Sequence, residues 1–113
     1  MRHLAILDAD LRIVELDYRD YLKWGTWFEK NFNNRHVALD NVSGFVVSTV
    51  FLGIDHSFGG KRPLWFETMV FRQNTEKQIS SQGYGQWRYS TWNEAENGHR
   101  IVCEAVRKGE IGE

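Results

Sequence analysis

Residues 45–71 read FVVSTVFLGIDHSFGGKRPLWFETMVF, and the fold follows from how this stretch is parsed. Two apolar runs, Phe45–Ile54 and Leu64–Phe71, flank a connection of turn-forming residues, Asp55–Pro63. The runs are short, rich in Val, Phe, Thr and Trp, and bounded by glycine or proline, so they read as strands rather than helices. The simplest pairing is an antiparallel hairpin with a long loop. Side chains alternate along a strand. Val46, Ser48, Val50, Leu52 and Ile54 therefore share one face, and Phe45, Val47, Thr49, Phe51 and Gly53 the other. On the second strand Leu64, Phe66, Thr68 and Val70 oppose Trp65, Glu67, Met69 and Phe71. Neither face is polar, so both need cover from helices or from another subunit. Glu67, among Trp65, Met69 and Phe71, must reach water or an arginine, or else line a pocket.

Outward from this hairpin, Leu4–Leu7 and Leu11–Leu16 are apolar runs joined by Asp8-Ala9-Asp10, which reads as a small hairpin or as a loop and a strand. Asp17 offers a cap for a helix over Tyr18–Asn31, with Tyr21, Trp24 and Phe28 at helical spacing. Arg35–Leu39 and Val42–Ile54 are separated by Asp40-Asn41, which predicts a turn there. Arg72–Gln86 is polar and carries glycines, and it is expected to be a long hairpin loop before a short strand, Trp87–Tyr89. Thr91-Trp92-Asn93-Glu94 is a capping box. It opens a final helix along which Trp92, Ala95, His99, Val102 and Val106 form an apolar stripe, with Gly109 as its stop. The expected fold is α+β: an antiparallel sheet of about five or six strands with two helices, built on the hairpin at 45–71.

The 113 residues fit one domain, 1–113, large enough for its own core. An aromatic share of 14% with five Trp points to an aromatic core or to a contact surface. A formal net charge of −1 argues against generic nucleic-acid binding. Cys103, the one cysteine, sits in the apolar pattern of the last helix and reads as a buried thiol in a reducing compartment. No apolar run is long enough to span a membrane, and the start MRHLAILDAD turns acidic too quickly for a signal peptide. A cytoplasmic protein is expected.

Trp24–Glu29, Val47–Gly59, Pro63–Phe71 and Arg88–His99 carry the strings WGTWFE, VSTVFLGIDHSFG, PLWFETMVF and RYSTWNEAENGH. These strings resemble a family of small, largely uncharacterised proteins of tailed bacteriophages and prophages. The resemblance covers most of residues 24–99 and implies a phage origin, hence an infected bacterial host as the setting. It brings no activity with it.

The candidate site lies at the hairpin loop. Asp55 and His56 follow the first strand, and Phe58, Lys61, Arg62 and Trp65 surround Gly59-Gly60. Exposed backbone N–H groups beside two cations suit an anionic aromatic ligand or an acidic partner surface. If the last helix crosses the hairpin, His99 approaches Glu67. Asp55, His56, Glu67 and His99 would then suit a metal-dependent or acid–base hydrolase. Against that reading, no zincin, zinc-finger, EF-hand, P-loop or G-x-S-x-G pattern is present, and no cofactor or metal is expected. The expected function is a non-catalytic binding module that inhibits or sequesters a host component, either a protein or a small anionic ligand. The doubly apolar hairpin predicts a homodimer.

Overall fold

The computed structural model describes residues 3–57, 62–73 and 79–111. The fold is α+β, with six strands and two α-helices among the described residues: β1 Leu4–Leu7, β2 Ile13–Leu16, α1 Tyr21–Lys30, β3 His36–Val42, β4 Phe45–Phe51, β5 Phe66–Gln73, β6 Ile79–Tyr89 and α2 Trp92–Arg107. Short 3₁₀ turns, Tyr18–Asp20 and Phe32–Asn34, bracket α1. The hairpin at 45–71 is the centre of a four-stranded sheet ordered β3-β4-β5-β6, with Thr49 opposite Thr68 and Phe51 opposite Phe66. All neighbouring strands run antiparallel.

Three expectations need correction. The strands form two sheets rather than one: β1 and β2 make a two-stranded sheet beside the four-stranded one. Gly53, at φ +73°, turns the chain out of β4, and β1 attaches there through the Ala5 N–H to Gly53 O bond of 2.9 Å and the Leu4–Ile54 bridge. The turn expected at Asp40-Asn41 lies at Ser43-Gly44, with φ of 51° and 83°. A two-residue hairpin loop favours positive φ at both central positions, and Gly44 adopts it without strain. Asp40 and Asn41 therefore belong to β3, opposite Val47 and Val46. Finally, much of the loop expected over Arg72–Gln86 is strand: β5 runs to Gln73 and β6 begins at Ile79. The polar composition there misleads because β6 is an edge strand, which needs less apolar surface than a central one.

One face of the sheet is the core. Val42, Phe45, Val47 and Val70 pack against Val102, Cys103 and Val106 of α2. At the other end Phe51, Phe66 and Trp65 pack with Ala5, Leu7 and Ala95, and α1 adds Trp27 and Phe28. Trp27 meets Phe51 edge-on at 5.8 Å between ring centroids. Both helices thus reach residues of this face. The opposite face carries Leu39, Val46, Ser48, Val50, Glu67, Met69 and Phe71 by register. Most of these are partly exposed, although Val46 is buried. No helix among the described residues is long and apolar enough to cross a membrane.

α2 starts as its capping box requires: Thr91 Oγ1 accepts from the Glu94 N–H at 3.1 Å. It ends at Gly109, φ +76°, with Lys108, Gly109 and Glu110 N–H groups closing on the last carbonyls. Gly98, inside this helix, sets how closely α2 approaches β6. A Cβ added there would stand 2.2 Å from the Tyr89 ring. Gly→Ala in a helix interior normally gains up to about 1 kcal/mol. Here the sign should reverse: Gly98→Ala displaces Tyr89 and lowers the unfolding free energy, read as a fall in the urea midpoint. A rise would show that Tyr89 moves without cost.

Candidate functional site

His99 lies on the buried stripe of α2 and is only 3% exposed. A buried imidazole needs partners at both nitrogens. Nε2 is 2.7 Å from Asp40 Oδ2 on β3, and Nδ1 is 2.7 Å from Thr49 Oγ1 on β4. Thr49 Oγ1 is in turn 2.5 Å from Thr68 Oγ1 on β5, and Thr68 hydrogen-bonds the Tyr89 hydroxyl on β6. As a carboxylate, Asp40 only accepts, so Nε2 carries the hydrogen. In the neutral ring Nδ1 then accepts from Thr49, Thr49 accepts from Thr68, and Thr68 accepts from Tyr89. The relay crosses all four strands of the main sheet. Burial pushes the Tyr89 hydroxyl pKa above its ordinary 10.0.

Thr49, His99 and Asp40 stand in the order of a hydrolase triad. They do not form a nucleophile, because the Thr49 side chain is fully buried beneath α2 and meets no substrate. The Asp40 end opens outward, with its side chain 58% exposed. There a cleft of about 350 Å³ is lined by Asp40, Asn41, His99, Arg100, Cys103 and Glu104, among others. Cys103 follows His99 by one helical turn, and burial together with the Asp40 charge pushes its thiol pKa above 9.0, opposed by Arg107.

Of the residues singled out in the sequence, Glu67 and His99 do not meet. Glu67 lies on the face of the sheet away from His99, opposite Val50 and Arg88, and takes a 2.9 Å ion pair from Arg88 Nε. The expected approach of His99 to Glu67 is therefore corrected: alternation presents Thr68, not Glu67, to α2. Asp55 holds its own loop. Its Oδ1 accepts from the Ser57 and Leu64 N–H groups at 2.8 and 2.9 Å, and its Oδ2 from the Ser57 hydroxyl. His56 Nδ1 turns back to the Ile54 carbonyl at 2.9 Å. Arg62 forms a forked pair with Glu94 at the start of α2, and Trp65 is buried in the core. Phe58 and Lys61 lie outside the described residues. Asp40, Thr49, Thr68 and Tyr89 were not singled out in the sequence. The signal for Asp40 was Ser43-Gly44, a hairpin turn that places Asp40 within a strand. Thr49 and Thr68 were legible as hydroxyls on otherwise apolar strand faces.

A second surface surrounds α1. The Trp24 indole donates to the Gly53 carbonyl at 3.0 Å, and a side chain at Gly53 would strike Phe28. Arg35 donates to the Phe51 carbonyl and stacks over Phe28 and Phe32. The contacts of Trp24 and Phe28 fix the inner side of α1. Its outer side leaves Tyr21 61% and Leu22 71% exposed, with Tyr18 and Phe32 also exposed at its two ends. A shallow cleft of about 560 Å³ runs between this side and Leu4 and Ile54. Comparison with protein-family models, curated proteins and solved structures found no match to this chain.

The Asp55 cap has a measurable consequence. Burial pushes its carboxyl pKa up, but the hydrogen bonds from Leu64 and Ser57 and the nearby His3 outweigh it, so the net value lies below 3.8. The folded state thus favours the ionised form, and its contribution is present above 3.8 and lost as pH falls through the lower folded value. The stability difference between wild type and Asp55→Asn, from urea unfolding, should be constant near neutrality and shrink below 3.8. A difference that does not change with pH would contradict the cap.

Proposed function

We propose that this chain is a non-catalytic binding module that grips a partner protein through the outer side of α1. The observation that carries this reading is the group of large apolar side chains, Tyr18, Tyr21, Leu22 and Phe32, exposed on and beside α1. Exposing such a group costs solubility, and apolar clusters of this kind mark contact surfaces. Aromatic residues also supply much of the energy at protein interfaces. The cleft beside Leu4 and Ile54 offers a seat for an apolar anchor of the partner. The resemblance to phage proteins favours a host component as that partner and the host cytoplasm as the place of contact. The hairpin loop is the weaker candidate, since Asp55 and Arg62 are committed within the fold.

Leu22→Asp tests the reading, because Leu22 is exposed and the change leaves the core untouched. A host protein captured by the wild type should bind the variant at least about tenfold more weakly, a loss of about 1.4 kcal/mol. Unchanged affinity in a normally folded variant would move the contact surface elsewhere.

We also propose a homodimer in which a second copy covers the outer sheet face. Leu39, 58% exposed, together with the partly exposed Val50, Met69 and Phe71, supports that contact. Light scattering at tens of micromolar should report a dimer and, for Leu39→Glu, a monomer. A wild-type monomer would overturn the dimer but not the α1 surface.

A further inference from the structure

We infer that Asp40, His99 and Cys103 form a site for a divalent zinc-class metal ion, with its remaining coordination position facing the cleft beside α2. The argument begins with spacing. His99 and Cys103 are four residues apart on α2, so they project from adjacent turns of one face. Asp40 enters from β3, and the three potential ligand atoms all lie within 4.8 Å of one another. A tetrahedral zinc site with Zn–N and Zn–O near 2.0–2.2 Å and Zn–S near 2.3 Å places such atoms about 3.3–3.6 Å apart. The Asp40–His99 pair must therefore open from 2.7 Å, while the three ligand atoms stay within the 4.8 Å that already contains them. The exposed Asp40 carboxylate is free to make that movement without disturbing the core.

The ligand chemistry selects the ion. One imidazole, one thiolate and one carboxylate suit a borderline-soft ion and give too few oxygens for calcium or magnesium. An imidazole, a thiolate and a carboxylate sum to −2, so a divalent ion leaves the centre neutral. Binding releases one proton, from the Cys103 thiol, to solvent. The Nε2 hydrogen is accommodated by tautomer exchange: the ring becomes Nδ1–H and donates to Thr49, and the Thr49 and Thr68 hydroxyls rotate to point toward Tyr89. This is the outer hydrogen bond that orients metal-binding histidines. A hydroxyl serves it in either direction because it both donates and accepts.

The test uses the full chain stripped with chelator and titrated with Co²⁺, then with Zn²⁺ in competition. One ion per chain is expected, with the visible bands of tetrahedral cobalt and a sulfur-to-cobalt charge-transfer band in the near ultraviolet. Cys103→Ala should abolish the charge-transfer band, and Asp40→Asn should weaken binding at least tenfold. Thr49→Val, which touches no metal, should weaken it by about 10–100-fold. Asp40→Asn keeps the argument testable even if the buried cysteine variant fails to fold, because its side chain is largely outside and still accepts from Nε2–H. Failure of the wild type to bind one equivalent, an octahedral spectrum without the sulfur band, or an Asp40→Asn variant that binds as wild type would each overturn the site.

Discussion

The structure depends on the way an imidazole is accommodated in an apolar helix face. His99 occupies a position on α2 whose neighbours are Ala95, Val102, Cys103 and Val106, all buried. Leaving either ring nitrogen unpaired there would cost on the order of 1–3 kcal/mol. The sheet answers with Asp40 from one strand and Thr49 from the next. Because each partner has a fixed register, the pair of bonds fixes both the rotation of α2 and its position along the strands. Apolar packing alone tolerates sliding; a two-point polar contact does not.

The far end of the relay sets the approach distance. Tyr89 reaches Thr68 from β6, and its ring sits where a Cβ of Gly98 would otherwise be. Gly98 therefore gives up helix propensity so that an aromatic ring and its hydroxyl fit beneath α2. Gly53 makes a similar concession on the other side, at φ +73°, where Phe28 and the Trp24 indole close over its backbone. Two glycines thus set the two main approaches to the sheet, one for each helix.

The fold class was legible because alternation in 45–71 and the stripe and capping box of α2 are strong local signals. What failed was a boundary. Asp40-Asn41 and Ser43-Gly44 are both turn-like, but only the second pair contains the glycine that adopts the positive φ of the turn. That shift of three residues took Asp40 out of its strand and hid its alignment with His99. Alternation puts Thr68 and Glu67 on opposite faces, and the register that sets Thr49 opposite Thr68 then turns Glu67 away from His99. The polar edge strand β6 was hidden for a different reason: its pairing comes from the backbone ladder, which the side-chain pattern does not report. Tyr21 shares its helical spacing with Trp24 and Phe28 yet is exposed, since periodicity shows which residues share a face but not whether that face is covered.

The hydroxyl relay also explains how one set of heavy atoms serves two states of His99. In the hydrogen-bonded state the order runs from Tyr89 through Thr68 and Thr49 to Nδ1, and Nε2–H meets Asp40. With an ion at Nε2 the Thr49 and Thr68 hydroxyls rotate the other way, and the threonine oxygens need not move. A valine at Thr49 would fill nearly the same space yet break both orders, leaving His99 with an unsatisfied nitrogen in either state, whereas a valine at Thr68 would take away the second partner of the Thr49 hydroxyl. Serine would keep the hydroxyl but lose a methyl group packed in the core. Threonine alone among the twenty side chains combines a two-way hydrogen bond with a β-branched shape suited to a central strand. The composition of this buried row follows from that pair of demands.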